Sequence, residues 1–150
     1  MYVRDLMTPD VVTLAADDTL DLADGIMRLG RIRHLPVVSG DRVVGIVSQR
    51  DLFRAAVSSL LQLGGEAERR WLAGIPVKAV MTPHVFTVAP SISLRTAVHV
   101  MTEKRVGCLP VVEDGKLVGL ISESDCLLHL AHLLTIADEK GALPEIAPGE

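Results

Sequence analysis

Two stretches, GIVSQRD at residues 45–51 and GLISESD at residues 119–125, decide how the chain is read. Each is a glycine, two aliphatic residues, a serine, two variable residues and an aspartate. Sliding the sequence against itself by 74 residues superposes them and much more besides. VRDLMTPDVVTLAADDTLDLADGIMRL falls on VKAVMTPHVFTVAPSISLRTAVHVMTE, and RIRHLPVVSGDRVVGIVSQRD falls on RVGCLPVVEDGKLVGLISESD. The match runs without a gap over residues 3–51 against 77–125, with roughly a third of the pairs identical. Self-similarity at a fixed period outranks local propensity as evidence of architecture. Two copies are too few to stack as a solenoid, so they are expected to pair about a pseudo-twofold axis.

Each copy reads as β-α-β-β-α, which makes the fold class α/β (α+β). VVTL and VFTV are short β-branched runs of strand type. Asp18 or Thr19 in the first copy, and Ser91 or Ser93 in the second, are placed to cap the next helix. Leu20, Ala23, Ile26 and Met27 and, in the second copy, Leu94, Ala97, Val98 and Met101 recur at helical spacing. LPVV opens a hairpin in both copies, and Asp114-Gly115 is a strong turn signal. The return strands VVGIVS and LVGLIS are almost wholly apolar, as strands covered on both faces are. Expected boundaries are 3–63 for the first motif, 64–76 for a linker punctuated by Gly64-Gly65 and Gly74, 77–140 for the second motif and 141–150 for a flexible tail.

Composition narrows the function classes. Residues of apolar type make up 49% of the chain but aromatic ones only 3%, so the core must be aliphatic. A net charge of −4 with both signs dispersed argues against nucleic acid as a partner, and base-stacking platforms are scarce. The longest apolar stretch, LLHLAHLLTIA, is short of the roughly 18 residues a membrane span needs. Without a secretory-type N-terminal segment, a cytoplasmic protein is expected. Two cysteines, Cys108 and Cys126, make no disulfide framework.

Ser-x-x-Asp at a strand-to-helix junction has an ordinary structural reading. Ser48 Oγ can accept from the amide three residues on while Asp51 reaches back to the Ser48 amide, a capping box, and Ser122 with Asp125 can do the same. The same atoms also suit a nucleotide. One carboxylate can accept from both adjacent hydroxyls of a ribose, and the helix N-terminus beside it offers amides to phosphate. Motif chemistry alone leaves both readings open.

The ordered set of MTP at Met7 and Met81, LPVV at Leu35 and Leu109, and the glycine-to-aspartate motif at Gly45 and Gly119 resembles the cystathionine-β-synthase (CBS) domain pair, or Bateman module. The resemblance covers about 125 of the 150 residues. It implies a non-catalytic regulatory module that binds an adenosine compound (AMP, ADP, ATP, NAD or S-adenosylmethionine) in clefts between its motifs. It also implies a homodimer in the form of a four-motif disk, and a signal passed to an effector protein. Carried over residue by residue, one site would use Ser122, Ser124 and Asp125 with Thr13, Ala15, Ile32 and His34. The other would use Ser48, Arg50 and Asp51 with Thr87, Ala89, Val106 and Cys108. Ile46 and Leu120 would cover the base. The copies differ where the first has Arg33-His34 and the second Gly107-Cys108, and where Arg50 stands opposite Ser124. Arg33 and Arg50 are therefore expected to give the Asp51 cleft the more highly charged ligand. The alternative is a ligand-independent dimerisation or adaptor module, in which the aspartates only cap helices.

Other constellations are weaker. Cys126, His129 and His132 stand three apart, but successive steps of three drift around a helix, so the surrounding leucines point to a packing helix at a subunit interface and not to a metal site. The repeat is expected to place His34 and Cys108 one per cleft, which argues against a Cys/His nucleophile and against an enzyme. Trp71 is expected to anchor the linker by packing.

Overall fold

The computed structural model describes residues 1–58 and 65–139; Gly64 and the tail at 141–150 lie outside the described residues. The chain is a mixed α/β protein of two repeated motifs. The first contains β1 (Thr8–Pro9), β2 (Leu14–Ala15), α1 (Leu20–Gly30), β3 (His34–Ser39), β4 (Arg42–Ser48) and α2 (Gln49–Ser58). After α3 (Glu66–Ala73) come β5 (Thr82–Pro83), α4 (Leu94–Lys104), β6 (Cys108–Glu113), β7 (Lys116–Ser122) and α5 (Glu123–Glu139).

The repeats are interlocked by exchanged N-terminal segments. One sheet has the order β2-β3-β4-β5 and the other β1-β7-β6. Thus β5 of the second motif pairs with β4 of the first, Gly45 opposite Pro83, while β1 pairs with β7, Gly119 opposite Pro9. The 3-10 turns that precede these strands are exchanged too. Val3, Leu6 and Met7 pack in the core built on Leu109, Val111 and Ile121, whereas Val77, Val80 and Met81 pack in the core built on Leu35, Val37 and Val47. Backbone bonds repeat the exchange at both ends: Val3 N donates to Ile92 O at 3.0 Å and Val77 N to Asp18 O at 2.7 Å. Each fully buried aliphatic side chain so placed contributes roughly 1.5–3 kcal/mol, and neither motif completes its core alone.

This exchange explains the two glycines. A Cβ added to Gly45 would sit 2.5 Å from Met81 Sδ, and one added to Gly119 would sit 2.8 Å from Thr8 O. The residue is glycine because the other motif's Met-Thr-Pro strand crosses directly over it.

The hairpins follow the expectation, each with a bulge at the equivalent place, Val37/Val38 and Val111/Val112. Asp114 and Gly115 both take positive φ (50° and 77°), as a tight hairpin turn demands. The strands expected for VVTL and VFTV are much shorter. The first shrinks to Leu14–Ala15, parallel to β3, and the second to a single bridge between Val88 and Val111. The cause lies just upstream, where Asp10 and His84 are left-handed (φ 48° and 54°) and turn the chain away from the sheet. Thr19 stands at the N-cap of α1, but its hydroxyl donates to Asp21 instead of accepting from the helix, while Ser93 caps α4 by accepting from Thr96 N at 3.1 Å. Trp71 packs against the first core, as expected.

Candidate functional site

The start of α2 is shaped by its own sequence. Asp51 Oδ2 accepts from Ser48 N at 2.7 Å and from Ser48 Oγ at 2.8 Å, and Ser48 Oγ accepts from Asp51 N at 3.1 Å. At α5 the same three bonds join Ser122 and Asp125 at 2.8, 2.7 and 3.3 Å. Both capping boxes therefore form. Among the described residues no hydrogen bond reaches the second carboxylate oxygen, Oδ1, of either aspartate. The cap leaves half of each carboxylate open to another donor.

A cavity of about 1130 Å³ opens on the N-terminus of α2. Arg33, His34, Ile46, Ser48, Arg50, Asp51, Val106, Gly107, Cys108 and Ser124 line it. Both motifs contribute: β4 and β7, of different sheets, are in contact, and Arg33 reaches Ser124 at the start of α5. Thr87 and Ala89, expected on this wall, do not line it. Thr82, His84, Val85 and Phe86 do, on either side of the left-handed turn at His84. Arg54, Phe53 and Arg105 also line it; none was marked by the sequence reading. The repeated Met-Thr-Pro, whose second copy contains Thr82, is the sequence signal that leads into that wall. Thr13 lines a separate depression of about 230 Å³ between the two hairpins. Ala15, Ile32, Leu120, Ser122 and Asp125 lie outside both cavities.

Electrostatically the cleft is cationic in a chain of net charge −4: Arg33, Arg50, Arg54 and Arg105 face Asp51 and Glu123. None of these arginines forms an ion pair among the described residues. Arg33 is not confined to the Asp51 side, for its Nη2 donates to Ser124 Oγ at 2.6 Å, reaching the mouth of α5. Gly107, the position equivalent to Arg33, makes room for His34: a Cβ there would lie 3.2 Å from His34 Nε2. Burial, followed by the Arg33 charge, lowers the His34 pKa below its usual 6.5, against the opposing pull of Asp51 and Glu123. The imidazole is therefore neutral near pH 7.

His34 and Cys108, expected one per cleft, instead line the same cavity. Their meeting does not create a nucleophile. Burial, reinforced by Glu123 and Asp125, pushes the Cys108 thiol up to about 12, and Cys126 is raised as well, first by burial. The reactive thiolate is then absent near neutral pH. Among the described residues no group of three or more His, Cys, Asp or Glu side chains converges as metal ligands. On α5, Cys126 packs against the second core, while Leu127, Leu128, Leu130, Leu133 and Leu134 are exposed. No helix among the described residues is long and apolar enough to cross a membrane.

The CBS domain family model matches residues 3–58 and 77–132, both repeats in full register. The chain belongs to the CBS domain family. An AcuB protein of Vibrio cholerae, assigned to acetoin utilization, is 36% identical to this CBS pair, covers 93% of it and 96% of its own chain, and superposes with a TM-score of 0.76. The structure of CBSX2 in complex with AMP is 26% identical, covers 89% and 98% of the two chains, and has a TM-score of 0.71. The inosine-5′-monophosphate dehydrogenase of Korarchaeum cryptofilum is 35% identical over 135 residues, which is 89% of the chain but 25% of that enzyme. The CBS pair thus spans less than half the length of the first curated relatives it matches, 25% and 43%.

Proposed function

We propose that this CBS pair is a non-catalytic regulatory sensor of adenosine nucleotides, with AMP, ADP or ATP as its principal ligand class and NAD or S-adenosylmethionine as related candidates. The observation that carries the reading is the cationic cavity at the α2 N-terminus, with the free oxygen of Asp51 beside it. Asp51 would accept the ribose hydroxyls through Oδ1 while Oδ2 keeps the cap, so helix and ligand do not compete for one atom. Ser48 and the α2 N-terminus sit beside the first phosphate, with Arg50 and Arg33 neutralising the rest. Ile46, Val106 and Cys108 provide the apolar surface for the base. The AMP complex of CBSX2, of the same fold, supports an adenosine ligand.

Because both motifs line the cleft, a ligand there stabilises one relative placement of the halves, which is a population shift between two states. The exposed leucines of α5 support a homodimer, the four-motif disk, as the assembly through which that shift reaches an effector protein in the cytoplasm. The adaptor reading rests on a different observation: each Ser-x-x-Asp pair bonds within its own helix start, which is a complete structural role for both aspartates.

Thermal unfolding with AMP, ADP, ATP, NAD and S-adenosylmethionine separates the two. A ligand at 100 times its Kd adds about 2.7 kcal/mol, a shift of roughly 5–10 °C for a chain of this size. A flat panel at millimolar ligand would favour the adaptor. A shift that survives loss of both Asp51 and Asp125 would put the site elsewhere.

A further inference from the structure

The sequence pattern groups Ser124 with Asp125, but the structure places it elsewhere. Ser124 lines the cavity at the α2 N-terminus, whereas Ser122 and Asp125 lie outside it. What Ser124 touches there is Arg33, whose Nη2 donates to its Oγ at 2.6 Å across a sequence separation of 91 residues. Arg33 is tied at its other end to its own motif: its carbonyl accepts from the amide of Gln49, the first residue of α2, at 2.9 Å. A single side chain therefore spans from the start of α2 to the start of α5.

The repeat shows that this contact is one-sided. Gly107, the counterpart of Arg33, makes the same backbone bond, accepting from Glu123 N at 2.9 Å, but has no side chain to send back across the cavity. Arg50, the counterpart of Ser124, offers only donors and could not accept from a guanidinium. An arginine at 124 would also set like charges together, so the serine is what allows Arg33 to cross. The kind of acceptor matters as well. Glu123 lines the same cavity, yet Arg33 forms no ion pair with it among the described residues. A hydroxyl fixes the guanidinium without neutralising it, and the fork keeps N–H donors to spare for an anion. Arg33 is exposed, so an unanchored side chain would lose rotamer freedom on meeting a phosphate; one already held loses less.

We infer that Ser124 is a positioning residue of the Asp51 cleft: through Arg33 it sets that cleft's preference for nucleotides carrying more phosphates, instead of holding phosphate beside Asp125. This rests on the adenosine-nucleotide reading given above and adds to it that a residue of one motif tunes the phosphate preference of the other motif's cleft.

Calorimetric titration of the full chain with AMP and ATP tests the assignment. Ser124→Ala is expected to weaken ATP by about three- to tenfold. AMP should stay within about twofold, because its single phosphate lies by Ser48 and the α2 N-terminus. Ser124→Thr keeps the hydroxyl and should restore ATP binding to within about twofold of the native chain. In an Arg33→Ala background, adding Ser124→Ala should change ATP affinity by less than about twofold, since no guanidinium is left to hold. Equal losses for AMP and ATP would reveal a merely structural serine. A full loss persisting in the Arg33→Ala background would mean that Ser124 meets the ligand directly. Tighter ATP binding in Ser124→Ala would mean that the serine withholds Arg33 from the ligand. Any of these three overturns the inference. If ATP binds in an Asp51-dependent way and Ser124→Ala leaves it unchanged, this inference alone fails. If neither nucleotide binds the native chain, the adenosine reading fails with it.

Discussion

The two helix N-termini, at α2 and α5, are built alike and surrounded differently. Their capping bonds agree to within a few tenths of an ångström, their hairpins carry the same bulge, and their glycines lie under the same kind of crossing strand. Around this common frame the first junction carries Arg50, Phe53 and Arg54, and the second Ser124, Leu127 and Leu128. Asp10 and Val12 stand where the Asp51 cleft has His84 and Phe86. Positions that hold the backbone stayed alike between the copies, and positions that face the cleft diverged. Within one seven-residue motif, Ser and Asp form the same cap in both copies, while the two residues between them differ in charge.

The comparison breaks most readily at the aspartates. Asp51→Ala is expected to weaken adenosine-nucleotide binding by about 10- to 100-fold through loss of charge-assisted bonds. Asp125→Ala should leave that affinity within about threefold, while each variant loses a similar ~1 kcal/mol of stability with its cap. Equal binding losses in calorimetry would mean that the clefts are not distinct. Next in size are the glycines. Each Gly→Ala change should cost about 1–3 kcal/mol by overpacking. Gly119 should cost more than Gly45, since it meets backbone Thr8 O at 2.8 Å while Gly45 first meets the flexible Met81 side chain. Urea denaturation that ranks them the other way would contradict the crossing geometry. Smaller again, Ser48→Ala and Ser122→Ala should each lose about 1 kcal/mol and agree closely, because the two boxes are equivalent.

The smallest effect concerns His34, which has a cysteine as its counterpart. Its folded pKa is lowered by burial and Arg33, so the unfolded chain binds the proton more readily. Stability should fall as pH drops from about 7 through the unfolded histidine value near 6.5. His34→Gln should flatten that part of the curve. An unchanged slope in pH-dependent melting would show that the imidazole is not held neutral.

Much of the fold was legible because the repeat supplied an internal comparison. Helix starts, hairpins and the aliphatic core follow from spacing within each copy, and the aligned copies marked Gly45, Gly119 and both Ser-x-x-Asp boxes. The exchange of the Met-Thr-Pro segments was not legible, since nothing in a sequence of two equivalent copies says whether β1 pairs with β4 or with β7. The strands at 11–14 and 85–88 were overextended for a related reason: the residues are β-formers, but a left-handed Asp10 and His84 turn them away from their partners. The site was read in part. Asp51, Ser48 and Arg50 carried a motif, whereas Arg54, Arg105, Phe53 and Phe86 carried none and reach the cavity only by tertiary placement.

By itself the sequence determined the doubled β-α-β-β-α architecture and the chemistry at each helix start, because periodicity and capping are local properties. The tertiary structure decided which copy's segment completes which sheet. It also decided that His34 and Cys108 share one cavity, and that four arginines gather there without an ion pair among the described residues. Those are long-range matters, set by burying Val3 and Val77 in the opposite motif's core, where the apolar area removed from water outweighs what either motif would bury alone.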